Sequence, residues 1–291
     1  MDIRPRRGNL SPRAPPSAQH TSMPNATALI VATHPTTSLH LANVRRLISC
    51  APAGRIVIST SSELLKRTTK ALEGPRVRIV SSTNDRYDTG KWCAGLDAIG
   101  EHALKHYRWI ILANDSIFLL HAMPQLFAAL STGRYDMAGA VATAVGWDVA
   151  GERPSSSSYH LQSFLRVFTR GALGTWQKRS CGLPPTHESF RSKRSIVLYH
   201  EIGSSQAYPR ERLYGLYNGD SPADARGASR PWHLNLSYWR EAWPRGFPVA
   251  KRPQLETVCP EHHDELTGLE QKTGAGLAAC LESTFGRCAN L

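Results

Sequence analysis

The feature that most constrains the fold of this 291-residue chain is an apolar run that ends in a polar triplet. Five consecutive non-polar residues, Trp109 to Ala113, lead directly into Asn114-Asp115-Ser116, after which an apolar segment resumes. A continuous apolar run bounded by polar residues is typical of a strand buried on both faces of a sheet. Open α/β sheets bind ligands at the carboxyl ends of such strands, so Asp115 is either part of a ligand site or the cap of the next turn.

The segments around this run alternate between short apolar stretches and amphipathic ones. Strands are predicted at residues 28–32, 55–59, 76–81 and 135–142. Helices are predicted at 39–48, from a capping box at Thr60–Glu63 to about residue 72, and at 91–106, 124–130 and 172–179. Residues 159–168 fit either a strand or a helix. The alternation predicts βαβ units, and therefore an α/β domain in which helices flank a mostly parallel central sheet.

The chain is basic, with a net charge of +12. Such a surface can serve nucleic acid, an anionic membrane or a phosphorylated small molecule. The positive residues do not form one dense block and no nucleic-acid-binding motif accompanies them, so nucleic acid is not expected as a partner. Residues 1–26 are rich in Pro, Ser and Arg and are predicted to form a disordered basic arm.

The cysteines bear on the cellular compartment. No apolar run approaches the ~20 residues that span a bilayer, and the amino terminus lacks the apolar core of a signal peptide. These features predict a cytoplasmic protein whose six cysteines stay reduced. The alternative for one group of residues is zinc binding, although their spacing matches no standard zinc pattern; the group is Cys259, His262, His263, Cys280 and Cys288.

Common catalytic motifs are absent from the sequence: there is no GxGxxG, GxxxxGK[ST], GxSxG or HExxH. What remains are polar groups at the ends of predicted elements. After the third strand, Asp88 could accept a hydrogen bond from a ribose or a base, and Arg86 could pair with a phosphate. The alternative is a polar turn that starts a helix at Thr89.

Two further groups follow in the second half of the chain. His160 and Gln162 lie on one face if their segment is extended. His200-Glu201 offers a general base beside a partner, and the alternative for Glu201 is a solvated side chain on a helix.

Six segments together resemble a known family. They are residues 84–96 (NDRYDTGKWCAGL), 109–118 (WIILANDSIF), 135–140 (YDMAGA), 159–173 (YHLQSFLRVFTRGAL), 200–208 (HEIGSSQAY) and 235–255 (NLSYWREAWPRGFPVAKRPQL). In this order they resemble the rhamnan synthesis protein F family of bacterial polysaccharide glycosyltransferases, over about residues 28–255.

The resemblance implies a GT-A-like fold in which a sugar nucleotide lies over the carboxyl ends of the first strands. Asn114-Asp115-Ser116 then stands where many such enzymes have an Asp-x-Asp metal motif, and it contains one acid. A Mg²⁺ or Mn²⁺ ion bound by Asp115 and bridging the diphosphate is one option. The other option is that basic residues neutralise the diphosphate. The contacts with the donor would come from Asn84, Arg86, Asp88 and the triplet Asn114-Asp115-Ser116.

The same resemblance places the general base near the start of HEIG. Glu201 is the first choice for a group that deprotonates the acceptor hydroxyl, and His200 is the alternative. His160 and Gln162 would line the acceptor or sugar pocket. Lys251 would contact a phosphate, or else belong to a packing loop.

The predicted protein is thus a glycosyltransferase of the hexosyl- or rhamnosyltransferase type. It would have a nucleotide-sugar-binding half (27–116), an acceptor and catalytic half (117–255) and a carboxyl-terminal extension (256–291). It would transfer a sugar such as rhamnose from a nucleoside diphosphate to a polysaccharide or lipopolysaccharide precursor. The acceptor would be a glycan or a lipid-linked molecule, and the protein would associate peripherally with the inner membrane. The alternative is a non-catalytic sugar- or sugar-nucleotide-binding protein.

Overall fold

A central sheet of eight strands organises the protein. The computed structural model describes residues 26–143, 159–218, 249–250, 255–256, 258–262, 264 and 275–285. The strands described are β1 (Thr27–Thr33), β2 (Arg55–Ser61), β3 (Val77–Ser82), β4 (Trp109–Asn114), β5 (Phe118–Leu119), β6 (Met137–Thr143), β7 (His160–Leu161), β8 (Leu165–Thr169), β9 (Leu213–Asn218) and β10 (Val249–Ala250). Strands β5 and β10 pair with each other as a separate antiparallel sheet, and the other eight form the central sheet.

Helices cover both faces of this sheet. They are α1 (Ser38–Cys50), α2 (Leu65–Leu72), α3 (Tyr87–Ile99), α4 (Glu101–Leu104), α5 (Pro124–Ser131), α6 (Arg170–Ser180), α7 (Lys193–Ile196), α8 (Gly203–Ser205) and α9 (Ala275–Phe285). A π-helix, Val197–Ile202, joins α7 to α8. Among the described residues, no helix is long and apolar enough to cross a membrane.

The sheet has a parallel half and a mixed half. Its order is β3-β2-β1-β4-β8-β6-β7, and β9 pairs with β6. The ladders β3–β2, β2–β1, β1–β4 and β6–β9 are parallel, whereas β4–β8, β8–β6 and β6–β7 are antiparallel. The predicted α/β class with a mostly parallel sheet flanked by helices is therefore confirmed.

The buried strands explain why the sheet is a middle layer. Every residue of β1 and of β4 is buried. Leu29 and Val31 of β1 belong to the apolar cluster formed with α1 and α5, while Ile30 belongs to the cluster formed with α3 and α6. On that second face, a side chain at Gly95 of α3 would place its Cβ 2.4 Å from a methyl group of Ile30. Glycine is therefore needed where α3 approaches β1 most closely.

Two predictions about local structure need correction. The capping box predicted at Thr60–Glu63 does not form, because β2 continues to Ser61 and α2 begins after a 3₁₀ turn without a side-chain cap. The third helix begins at Tyr87 rather than at residue 91, which places Asp88 in a helix instead of a loop. Residues 159–168, for which strand and helix were both open, contain β7 and most of β8 with a turn between them.

The prediction of reduced cysteines is wrong. Cys93 of α3 is bonded to Cys181 beyond α6, across 88 residues of sequence and with the Cα atoms 5.4 Å apart. Cys259 is bonded to Cys280 of α9, and Cys50 is also in a disulfide. The spacing along the chain could not reveal these pairs, since folding brings distant elements together. Oxidation also removes the Cys259 and Cys280 thiolates that the alternative of a zinc site would need.

Several predicted features lie outside the described residues. They are the amino-terminal arm up to residue 25, the polar loop 146–158, residues His263 and Cys288 of the possible zinc site, and Lys251.

Candidate active site

The site is built where β1 and β4 end side by side. In their parallel register Ala32 lies opposite Asn114, which brings Thr33 and His34 next to Asp115. The Asp115 Oδ2 atom accepts hydrogen bonds from the Thr33 hydroxyl at 2.7 Å and from the His34 backbone N–H at 3.0 Å. The Asn43 amide of α1 donates to the Asp115 carbonyl at 2.7 Å. These donors come from another strand and from a helix, so Asp115 is more than a local cap.

The local turn is instead made by Asn114. Its Oδ1 accepts from the backbone N–H of Ser116 at 3.1 Å and from the Ser116 hydroxyl at 2.6 Å. Asn and Ser commonly stabilise such turns through their side chains. The capping role considered from sequence therefore belongs to the neighbour of Asp115, and the Asp115 carboxylate remains free of it.

Asp88 supports the same corner from α3. Its Oδ2 accepts a hydrogen bond of 2.8 Å from the Asn114 amide. Burial, followed by the negative charge of Asp115, raises the pKa of Asp88 to about 6, and the Asn114 hydrogen bond opposes this change. The side chain is half-buried, so its carboxyl group is poorly hydrated.

Lys91 lies one helical turn after Asp88 and was not predicted as a site residue. Only 1% of its surface is exposed, and its ammonium donates to the Oδ1 atom of Asn84. Burial lowers the pKa of Lys91, while the charges of Asp88 and Asp115 oppose this change. The signal in the sequence was the i, i+3 spacing of Asp88 and Lys91, which places both on one helix face. It was missed because the helix was predicted to begin at residue 91.

Arg86 has a different environment from the one predicted. Its guanidinium Nη1 donates to the carbonyls of Cys181 at 3.0 Å and Leu183 at 3.2 Å. Its Nε is buried and has no hydrogen-bond partner among the described residues. These contacts tie the start of α3 to the segment after α6, beside the Cys93–Cys181 disulfide. Its described role is structural, and a phosphate contact stays a prediction.

Glu201 approaches the site from the mixed half of the sheet. It lies in the π-helix, and 22% of its side chain is exposed. Its Oε2 accepts from the Ser163 hydroxyl at 2.8 Å, and its Oε1 is 3.8 Å from the His160 Nε2 atom. Single π-turns are often found at functional sites. His160, predicted to line the acceptor or sugar pocket, thus lies beside Glu201, and Gln162 lies half-buried just beyond β7.

A buried arginine holds this π-helix in place. The guanidinium of Arg166, on β8, donates to the carbonyls of His200 at 3.2 Å and Glu201 at 2.8 Å and to that of Leu161. It also donates to the Ser204 hydroxyl at 2.6 Å. Burial lowers the pKa of Arg166 to about 10, so the group remains charged at neutral pH. The polar side chain in an apolar strand was the sequence signal for this anchor.

His200 is placed poorly for the role of general base. Its ring is 4% exposed and stacks on Phe190 with centroids 4.5 Å apart, and its Nε2 is 2.9 Å from the Ser189 hydroxyl. Burial lowers the pKa of His200 to about 4. These contacts are separate from the Ser163 and His160 contacts of Glu201. Of the two predicted bases, only Glu201 has the setting of a group that meets an acceptor.

Asp88, Asp115 and Glu201 lie close enough for the charges of Asp115 and, to the smallest extent, of Glu201 to help raise the pKa of Asp88. The space between these three carboxylates is called the cleft below. Within the described ranges, three His, Cys, Asp or Glu ligand atoms lie within 4.8 Å of one another only at Cys259, Glu261 and Cys280. The cleft is therefore not a closed metal cage. Mg²⁺ bound through a nucleotide needs only one or two protein carboxylates, and Asp115 fits as one of them.

Comparisons with known proteins do not identify a family. No protein-family model matches the chain, and no curated protein matches it. It is similar to a 4-diphosphocytidyl-2C-methyl-D-erythritol synthase from Anaerococcus prevotii DSM 20548, with 10% identity and a TM-score of 0.42. It is also similar to a protein described as a glucose-1-phosphate thymidylyltransferase from Bacillus anthracis, in complex with a sucrose, with 11% identity and a TM-score of 0.45. Each match covers 66% of this chain and 86% of the other. Similarities of this size do not transfer a function.

Proposed function

We propose that the protein is a glycosyltransferase that moves a sugar from a nucleoside diphosphate to a hydroxyl group of a glycan. The observation that carries the proposal is the pair of differently held carboxylates, Asp115 and Glu201, in one cleft at the carboxyl edge of the sheet. Asp115 is fixed by Thr33 and by the backbone of His34, whereas Glu201 is partly exposed and held through one oxygen. The sequence resemblance to the rhamnan synthesis protein F family agrees with it, and rhamnose is the first donor sugar to test.

In this scheme the donor lies over the ends of β1 and β4, where ligands bind in open α/β sheets. Asp115 orients the donor, and a Mg²⁺ or Mn²⁺ ion held there would neutralise the diphosphate. Glu201 removes the proton of the acceptor hydroxyl while the hydroxyl oxygen forms a bond to the anomeric carbon of the donor sugar. The bond from that carbon to the diphosphate breaks, and the electron pair leaves with the nucleoside diphosphate. The Ser163 hydroxyl donates to the Glu201 Oε2 atom and so orients the carboxylate.

The disulfides change the proposed compartment. All described cysteines are in disulfides, and such bonds persist in oxidising surroundings rather than in a reducing cytosol. We therefore place the reaction in an oxidising compartment, with a glycan exposed there as the acceptor. Blocking free thiols in the freshly purified protein, followed by mass measurement before and after reduction, tests this. Labelling of Cys93 or Cys181 before reduction would contradict it.

The function is tested with the purified protein and a panel of nucleoside-diphosphate sugars and glycan acceptors. Release of the nucleoside diphosphate and the mass of the product are measured. Glu201→Gln should lower kcat by about 10²- to 10⁴-fold with donor binding retained, because the amide cannot accept the proton. Glu188→Gln is a matched control, since Glu188 is exposed and contacts Tyr199 rather than the cleft. Donor binding without transfer would favour a non-catalytic binding protein, whereas turnover equal to wild type in Glu201→Gln would show that Glu201 is not the general base.

A further inference from the structure

Lys91 has more hydrogen-bonding capacity than its surroundings use. An ammonium group has three N–H donors. The structure gives this one a single hydrogen bond, to Asn84, and no carboxylate within 4.0 Å among the described residues. Burying a charged group costs free energy unless it is paired and hydrogen-bonded. A buried ammonium with spare donors is a group that an anionic ligand would complete.

The surroundings allow a ligand to reach it. Asn84, the hydrogen-bond partner of the ammonium, is itself exposed, so the buried ammonium is one side chain away from solvent. The α3 helix that carries Lys91 is fixed to the end of β4, because the Trp92 Nε1–H donates to the Ala113 carbonyl at 2.7 Å. Lys91 is therefore held beside the strand end that carries Asp115.

The acidic groups near Lys91 set the competing explanation. Asp88, Asp115, Glu63 and Asp85 all act on its charge. The ammonium could simply offset these carboxylates and bind nothing. The two roles differ in one respect: only a binding role makes affinity depend on Lys91 for phosphorylated ligands and not for others.

We propose that Asn84 and Lys91 form the seat of a phosphoryl group of the donor diphosphate. The inference rests on the proposed function and deepens it. Lys91 supplies positive charge that would otherwise come from a metal ion held by two acids, as in an Asp-x-Asp site. Asn114 is unavailable as a metal ligand because its amide contacts Asp88 and Ser116. Diphosphate binding consequently does not require a divalent cation.

The test measures calorimetric affinities of the whole protein for a nucleoside, its monophosphate and its diphosphate. Uridine, UMP and UDP are used first, followed by the guanosine, cytidine and thymidine series, in EDTA and again with Mg²⁺. In EDTA the diphosphate of the preferred base should bind roughly 10- to 100-fold more tightly than the nucleoside, the gain expected from charge-assisted hydrogen bonds. Diphosphate binding that appears only with Mg²⁺ would overturn the proposal.

Variants test whether Asn84 and Lys91 cause the tighter binding of the diphosphate relative to the nucleoside. Lys91→Met should remove most of this difference in affinity and leave nucleoside affinity unchanged, while Lys91→Arg should keep part of the difference. Asn84→Ala, at an exposed position, should weaken binding of the diphosphate by about 3- to 10-fold and leave nucleoside affinity unchanged. Lys178→Met is the control, because Lys178 is exposed at the end of α6. Diphosphate affinity equal to wild type in both Lys91→Met and Asn84→Ala would overturn the seat.

The outcome separates this inference from the glycosyltransferase proposal. A diphosphate bound through Lys91 without any sugar transfer leaves the seat standing and defeats the proposed reaction. Sugar transfer by Lys91→Met with an unchanged KM for the donor supports the proposed reaction and rules out the phosphoryl seat at Asn84 and Lys91.

Discussion

The two carboxylates of the site are held by different kinds of structure. Asp115 follows a buried parallel strand and is fixed by the adjacent strand and by α1. Glu201 lies in a π-helix whose carbonyls are gathered by Arg166, a side chain that is 1% exposed. The position of Asp115 is set by the backbone pairing of β1 with β4, whereas that of Glu201 is set by the Arg166 side chain. We therefore expect the position of Asp115 to tolerate single substitutions around it, and the position of Glu201 to be lost when Arg166 is replaced.

The largest expected effect follows from removing that cation. Arg166→Met should lower the free energy of unfolding by about 3–5 kcal/mol, because several buried carbonyls and the Ser204 hydroxyl lose their donor. Urea unfolding measures the change. Arg170→Met is the matched control, since Arg170 is exposed and bonds only the Lys105 carbonyl at 3.2 Å. If Arg166→Met lowers the free energy of unfolding by less than about 1 kcal/mol, Arg166 does not hold the π-helix and the two halves of the site do not differ in this way.

The difference between the parallel half and the mixed half of the sheet also explains how much of the site the sequence could predict. The parallel half follows from alternating apolar strands and helices, and the ends of its strands locate Asp115 before any coordinates are known. The start of α3 was missed because Tyr87 takes a φ of 52°, a conformation that local patterns do not indicate. That displacement concealed the helical face shared by Asp88 and Lys91.

The mixed half was predictable only in part. Glu201 was selected by resemblance, but its π-turn depends on hydrogen bonds from Arg166, 35 residues away in sequence. The disulfide partner of Cys93 is 88 residues away. Contacts of this separation are settled by how elements pack, which the order of residues along one segment does not encode.

A second prediction compares the halves through acid stability. His200, beside Glu201, has a pKa lowered by burial to about 4 from an ordinary 6.5. The unfolded chain therefore binds the proton first, and stability falls as the pH drops from about 6.5 to 4, by roughly 3 kcal/mol. His200→Gln should remove this acid-sensitive part of the unfolding free energy, measured in urea across the range. His106→Gln, at an exposed position, serves as the control. An unchanged pH slope in His200→Gln would contradict the assignment.

The smallest effect is expected in the parallel half, and it has the opposite sign. The pKa of Asp88 is raised to about 6 from an ordinary 3.8, chiefly by burial and then by Asp115. The folded protein holds this proton more tightly, so stability falls as the pH rises from about 4 to 6, by about 1–3 kcal/mol. In Asp88→Asn the side chain still accepts from Asn114 but carries no charge. Its stability relative to wild type should therefore increase between pH 4 and pH 7.

The exposed Asp97→Asn change on the same helix is the control for this last prediction, since it removes one charge without touching the cleft. Unfolding in urea at closely spaced pH values gives the difference between each variant and wild type. If Asp88→Asn and wild type lose stability in parallel between pH 4 and 7, Asp88 does not hold its proton in the folded protein. The parallel half would then lack the coupling among Asp88, Asp115 and Glu201 that joins it to the mixed half.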